Sequence, residues 1–361
     1  MKILHIITSL NIGGAEKLMV DLLPRLKQRG VEVELLVFVG NRTMFYDQLE
    51  REGVKITALA EKGGVYNPLH IVRLYRFLRN NRFDVVHTHI TAPQFFAAFI
   101  AMICSLVLVT TEHNTSNRRR NWKWYRLVDR WMYSKYSRII CISDATENNI
   151  REYLGYESFD KRFLTVYNGV DVDRYVNALP ISDYYTDKKV ITMVAGFRYQ
   201  KDQDTLIRAM QHLPREEYEL WLVGDGERRD ELENLVASFG LNGQVKFWGI
   251  RVDVPSLLKS SDVVVLSSHW EGFGLAAVEG MSVGKPFVAS DVDGLNDVTR
   301  GAGLLFKQGD DKQLAELIES LMSDSEYYNR IATQCMKRAR QYDISRMVEG
   351  YIGVYKELLN E

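Results

Sequence analysis

Short, unbroken apolar runs alternate with helix-periodic stretches along the whole chain, and this pattern narrows the possible folds more than any other feature. The runs at 31–39, 84–88, 106–111 and 138–142 are continuous in apolar residues rather than alternating with polar ones. A strand wetted on one face alternates, whereas a strand covered by helices on both faces does not. Helical periods occupy 16–28 and 68–81, between such runs. Repeated strand–helix units of this kind predict doubly wound parallel sheets, an α/β fold. A second series begins at Lys189, with strands expected at 190–195, 219–223, 245–247, 263–266 and 286–289. Residues 177–188 have no clear period and contain Pro180, which predicts a linker. The expected organisation is therefore two Rossmann-like domains, 1–176 and 189–344, with a final helix over 345–361 returning to the first. A chain of 361 residues is long enough for two separate cores.

Composition excludes several classes. Apolar residues make up 46% and charged residues 26%, as in globular proteins. The three cysteines, Cys104, Cys141 and Cys335, have no zinc-ligand spacing and read as reduced thiols in a reducing compartment. The apolar N-terminus ends by Ser9 and is expected to be a first buried strand rather than a leader. The stretch 95–109 is interrupted by Ser105 and falls short of the ~20 residues a bilayer span needs. It is expected to be a buried helix followed by a strand, so a cytoplasmic location is expected. The net charge of −1 hides an asymmetry, because residues 1–180 carry 25 Lys and Arg against 18 Asp and Glu. Residues 181–361 carry 21 against 29. The stretch 117–138 alone holds eight bases and a single acid, Asp129.

In doubly wound sheets, ligands bind beyond the carboxyl ends of the strands, where loops and helix N-termini present backbone amides. The strongest signal stands at such a place: Glu271-Gly272-Phe273-Gly274-Leu275, with Glu279 further on, directly after a predicted strand. Glycines let backbone approach a ligand, and the helix that follows aims its N-terminus at an anion. Two carboxylates flanking the turn suit sugar hydroxyls on one side and a ribose diol on the other. The plainer alternative is a tight turn with an acid favoured by the helix dipole.

Glu-x7-Glu enclosing Gly-Phe-Gly resembles the hallmark of the family 4 retaining glycosyltransferases. The similarity extends to Gly13-Gly14-Ala15-Glu16, Asp84-Val85-Val86-His87-Thr88-His89, Thr111-Glu112-His113 and Tyr167-Asn168-Gly169-Val170-Asp171. It continues through Gln200-Lys201-Asp202, Val223-Gly224-Asp225-Gly226 and Gly284-Lys285-Pro286, and so covers nearly the whole chain in order. The resemblance implies a GT-B fold, two Rossmann-like domains facing across a cleft. It also implies transfer of a hexose-type sugar, with retained configuration, from a UDP- or GDP-sugar to a growing glycan. Surface polysaccharide synthesis on a lipid-linked acceptor is the expected setting. On that resemblance, Glu279 binds the ribose, and Glu271 with Gly272, Phe273, Gly274 and Leu275 holds the donor sugar and its phosphate. Lys201 neutralises the leaving diphosphate, His113 touches the donor sugar, and Gly13, Gly14, Gly224, Asp225 and Gly226 line the donor. The family usually has Gly-Arg-Leu where this chain has Ala195-Gly196-Phe197, and Arg198 is the expected replacement for the arginine missing at Gly196.

Other signals weigh less. Asp171-Val172-Asp173 and Asp291-Val292-Asp293 read as turn residues or caps rather than metal ligands, so no metal and no cofactor is expected. His5 reads as a satisfied core histidine, while His89 ends its strand where an acceptor would sit. Arg118, Arg119, Arg120, Trp122, Lys123 and Trp124 begin a basic aromatic segment of the kind that contacts anionic lipid, so a peripheral membrane position is expected. No nucleic-acid motif accompanies it. A nucleotide-sugar 2-epimerase of the same fold and a non-catalytic binding relative are the alternatives. A dehydrogenase is excluded because no strand is followed by Gly-x-Gly-x-x-Gly.

Overall fold

The computed structural model describes residues 1–11, 13–113, 122, 124–157 and 160–360. The chain divides into two compact units, Met1–Asn168 with Ile344–Glu361, and Gly169–Asp343.

The first unit holds β1 (Lys2–Ile7), β2 (Glu32–Val39), β3 (Lys55–Ala60), β4 (Val85–His89), β5 (Leu108–Glu112), β6 (Arg138–Cys141) and β7 (Phe163–Thr165). All pair in parallel, in the order β3-β2-β1-β4-β5-β6-β7. Along β1 the side chains alternate between two apolar layers: Ile3 and Ile7 enter one core, Leu4 and Ile6 the other. Both faces are covered, which is why these strands read as unbroken apolar runs. The first layer is closed by the helices Gly14–Gln28 and Ile344–Asn360, the latter contributing Met347, Val348, Tyr351 and Tyr355.

The second unit holds β8 (Lys189–Val194), β9 (Tyr218–Val223), β10 (Val245–Gly249), β11 (Val263–Leu266), β12 (Phe287–Ser290) and β13 (Leu304–Phe306). These strands are also parallel, in the order β10-β9-β8-β11-β12-β13. In each sheet the order reverses direction between two central strands, β1 and β4 in the first and β8 and β11 in the second. Such a switch point opens a crevice at the carboxyl ends.

The division falls at Asn168 and Gly169, ahead of the aperiodic stretch 177–188. Residues 169–188 pack onto the second unit for identifiable reasons. The helix Val172–Val176 lies against the helix Leu275–Ser282. Lys259 Nζ donates to the Val176 carbonyl at 3.2 Å, Ser260 Oγ accepts from the Ile181 amide at 2.9 Å, and Tyr184 meets Trp221 and Trp248 edge-on. Strands β3, β7 and β13 are peripheral, and two of them span three residues. That is too short to carry a period. Among the described residues, no helix is long and apolar enough to cross a membrane. The stretch 95–109 ends one helix, Thr91–Ile100, and begins β5.

Candidate active site

In the second unit the loops after β8 and β11 meet across the switch point. After β8 the chain makes a 3-10 turn, Tyr199–Lys201, and reaches Asp202 with φ +48. This left-handed residue reverses the chain, and its carboxylate caps the helix Gln203–Ala209 by accepting from the Thr205 amide at 3.3 Å and its hydroxyl at 2.6 Å. The turn is fastened from below, since Ser267 Oγ donates to the Asp202 carbonyl at 2.7 Å. Lys201 Nζ is thereby aimed at the loop after β11, where it pairs with Glu271. Ser268 Oγ donates to the same carboxylate oxygen at 2.8 Å. Glu271 is buried, so its charge is held by a cation and a hydroxyl rather than by water.

The glycine turn follows at once. Gly274 has φ +80, a left-handed conformation at the N-cap of the helix Leu275–Ser282. Gly294, φ +81, lies behind it: a Cβ there would stand 2.4 Å from the Glu271 carbonyl oxygen. Backbone therefore rests on backbone, and the Glu271 loop has no room for a side chain at 294. Glu279 is buried in the second turn of the helix. Phe273 is buried edge-on against Tyr342, a packing role, and Leu275 opens the helix. Gly224, Asp225 and Gly226 follow β9. The Phe197 amide donates to the Asp225 carbonyl at 3.0 Å, and the Gly226 amide donates to Asp225 Oδ1 at 2.8 Å. This stitches the β9 loop to the β8 loop. Arg198 is exposed, and its Nε lies 4.0 Å from the point where a side chain on Gly196 would begin. The guanidinium thus folds back over the position that lacks one.

In the first unit, Gly13 is an extended N-cap and Gly14 opens the first helix, directly after β1. Among the described residues, a Cβ at Gly14 would meet no atom within 4 Å. His113 follows β5 and is half-buried, with Nε2 3.1 Å from His89 Nδ1. His89 corrects an expectation. It is fully buried and bonded to His5 and His113, so it is an interior link rather than a group reaching an acceptor. Burial holds His5 down at about 3 and His113 at about 4, and holds His87 and His89 well below the ordinary imidazole range.

The Asp pairs serve the chain itself. Asp171 caps the helix Val172–Val176, Asp173 pairs with Arg340 at 2.6 Å, and Asp291 with Arg300 at 3.1 Å. Arg118, Arg119, Arg120 and Lys123 lie outside the described residues. Trp122 and Trp124 are exposed, with rings 6.1 Å apart. Leu127 is exposed on the helix Tyr125–Tyr133, which packs against Thr91–Ile100, and beyond that helix Met102 and Ile103 are exposed too. Trp131 is half-buried against Phe99, with ring centroids 4.6 Å apart.

Sequence reasoning missed the aromatic group beside Lys201 and Glu271. His269 lies 4.7 Å from Tyr199 and 6.2 Å from Trp270, ring to ring, and both partners are exposed. Gln200 ties the two loops, its amide donating to the Trp270 carbonyl at 2.8 Å while its own carbonyl accepts from the His269 amide. The available signal was a Trp immediately ahead of the Glu271 motif. Two buried tyrosines one helical turn apart, Tyr351 and Tyr355, also went unread.

Comparison with known proteins agrees with the fold. The family model "Glycosyltransferase Family 4" matches residues 12–174 and "Glycosyl transferases group 1" matches 179–338. A lipopolysaccharide core biosynthesis glycosyltransferase of Rhizobium meliloti, LpsD, is 27% identical over 362 residues, covering 98% of each chain. The UDP-Gal:alpha-D-GlcNAc-diphosphoundecaprenol alpha-1,3-galactosyltransferase of Escherichia coli is 24% identical, covering 80% of this chain and 79% of its own. The Anabaena protein HepE, crystallised with UDP, superposes with a TM-score of 0.86 at 23% identity over 99% of this chain and all of that one. The chain is a glycosyltransferase of the GT-B fold, belonging to family 4 through its first part and to the group 1 glycosyl transferases through its second.

Proposed function

We propose that this enzyme transfers a hexose-type residue, with retention, from a UDP- or GDP-sugar to a lipid-linked glycan in surface polysaccharide synthesis. The observation that carries the reading is Lys201 and Glu271 converging at the second unit's switch point, against a glycine turn that opens a helix. The diphosphate takes the helix amides and Lys201, with Arg198 as a second cation. Glu271 receives sugar hydroxyls and Glu279 the ribose. As the anomeric C–O bond to phosphate breaks, charge grows on the leaving oxygen. Fixed cations and amides stabilise that charge without reorganising. The acceptor hydroxyl bonds to the anomeric carbon on the same face, its proton passing to the departing phosphate, so no protein nucleophile is needed. Neither step calls on a metal ion.

Relatives support the chemistry. The Escherichia coli enzyme is named for a UDP-sugar and a diphosphoundecaprenol acceptor, and HepE was crystallised with UDP-glucose as well as UDP. The exposed Trp122, Trp124, Leu127, Met102 and Ile103, beside Arg126 and Arg130, supply an apolar and cationic face for an anionic bilayer at the cytoplasmic side. A thermal-shift screen against UDP, GDP, ADP and their sugars tests the donor, because stabilisation grows with ligand concentration over Kd. UDP or GDP sugars are expected to raise the melting temperature. Failure of all of them refutes the proposal. Release of free epimerised sugar without acceptor would favour the epimerase instead.

A further inference from the structure

Seven polar side chains form one continuous hydrogen-bonded chain through the apolar layer of the first unit. Tyr351 OH lies 3.1 Å from Thr111 Oγ1, and Thr111 Oγ1 lies 2.8 Å from His87 Nε2. His87 Nδ1 lies 2.6 Å from Tyr355 OH, which lies 3.3 Å from His5 Nε2. His5 Nδ1 then meets His89 Nε2 at 3.0 Å, and His89 Nδ1 meets His113 Nε2 at 3.1 Å. All the members except His113 are buried. Parallel register explains the juxtaposition: His5 pairs with His87 across β1 and β4, and His89 pairs with Thr111 across β4 and β5. The two tyrosines come from the final helix.

A metal site is the obvious alternative, since nitrogens of His5, His87 and His89 lie within 4.8 Å of one another. Their rings stack with interplanar angles of only 11° to 26°. Imidazole lone pairs lie in the ring plane, so those of His87, whose ring stacks on both others, do not converge with theirs on one ion.

Burial keeps the four imidazoles neutral, so each has one N–H and one lone pair. Such a chain runs in one of two directions unless a hydroxyl accepts from both neighbours, which leaves that hydroxyl's own proton unreceived among the described residues. If it runs from His113 inward, the last hydroxyl proton, on Tyr351, has no oxygen or nitrogen to receive it among the described residues. Its remaining neighbour is the weakly accepting Cys141 thiol. If it runs outward, Tyr351 donates to Thr111, Thr111 to His87, His87 to Tyr355, Tyr355 to His5, His5 to His89 and His89 to His113 Nε2. Every buried proton is then received, and leaving one unreceived costs a full desolvation penalty.

We infer that this chain is a positioning device that fixes the tautomer of His113, so that the ring offers an Nδ1–H donor to an oxygen of its ligand. The part of this that concerns the ligand rests on the donor-sugar reading above. It makes His113 select for an acceptor oxygen at that point of the sugar and against an ammonium or a bare methylene.

The test is 15N NMR of histidine-labelled protein, the His113 signals being assigned by their loss in His113→Gln. The native protein is expected to show His113 protonated on Nδ1 alone. Tyr355→Phe removes the hydroxyl joining His87 to His5, so both His113 tautomers are expected in comparable amounts. Tyr351→Phe leaves the Thr111 proton with His87 Nε2 as its acceptor, so the native tautomer is expected to persist. Should Tyr355→Phe not fold, Thr111→Val removes the anchoring hydroxyl and is expected to give the same mixture. Protonation on Nε2 in the native protein, or a tautomer indifferent to both Tyr355→Phe and Thr111→Val, overturns the inference. UDP-glucose affinity is expected to fall about twofold in Tyr355→Phe, because only about half the molecules then hold the competent tautomer, and to hold in Tyr351→Phe. A tautomer that shifts while that affinity does not leaves the positioning intact and removes His113 from the donor sugar.

Discussion

Lowering the pH from 7 to 5 is expected to destabilise the first unit. The reason is the set of histidines buried without charge. All five histidines of that unit, His5, His70, His87, His89 and His113, are held below the ordinary value of 6.5, in each case mainly by burial. A base with a depressed folded pKa gives stability that is fully present above its unfolded pKa. That stability is lost as pH falls below it, because the unfolded chain takes protons the folded one refuses. For His5, held at about 3, the loss between pH 6.5 and pH 5 is 1.5 units at about 1.4 kcal/mol each, or about 2 kcal/mol. His113, held at about 4, adds a similar amount, and the other three add in the same direction. Against a total stability of ~5–15 kcal/mol, that is a large fraction. Calorimetry from pH 7.5 to 5 is expected to show the melting temperature falling by on the order of 10 °C or more. Unfolding at pH 5.5 should take up roughly two or more protons. His5→Gln should flatten the slope by about one proton, since Gln keeps a donor and an acceptor without titrating. A melting temperature flat across this range, with no proton uptake, would refute the argument that these rings are buried neutral.

Three further outcomes are expected. Glu279→Ala should weaken UDP or GDP binding by at least ~tenfold in calorimetric titration, the worth of a charge-assisted hydrogen bond pair, and an unchanged Kd would remove it from the ribose. Gly294→Ala should cost ~2 kcal/mol or more in urea unfolding and also lower turnover, because its Cβ would stand 2.4 Å from the Glu271 carbonyl at φ +81; full stability would mean the loop yields freely. Arg126→Glu with Arg130→Glu should reduce sedimentation with phosphatidylglycerol vesicles by about fivefold or more for each base lost, and binding indifferent to both would make this face merely solvated.

The fold was legible because its signal is local. A strand covered on both faces must be apolar at every position, so the central strands could be read off the sequence, whereas β7 and β13 are too short to carry a pattern. The turn after Glu271 was legible because a left-handed residue at a helix start calls for glycine, and Gly274 supplies it. Pairing was not legible. Lys201 and Glu271 stand seventy residues apart in the chain, and only the reversal of strand order between β8 and β11 makes them neighbours. The docking of residues 177–188 was hidden for a related reason: they look like a linker until Tyr184 is seen against Trp221. His89 shows the limit most clearly. Its position at a strand end is written in the sequence, but whether it faces a substrate or another histidine depends on parallel register and on a helix more than two hundred residues away. Such contacts are set by burial and hydrogen-bond closure in three dimensions, which no window along the chain contains.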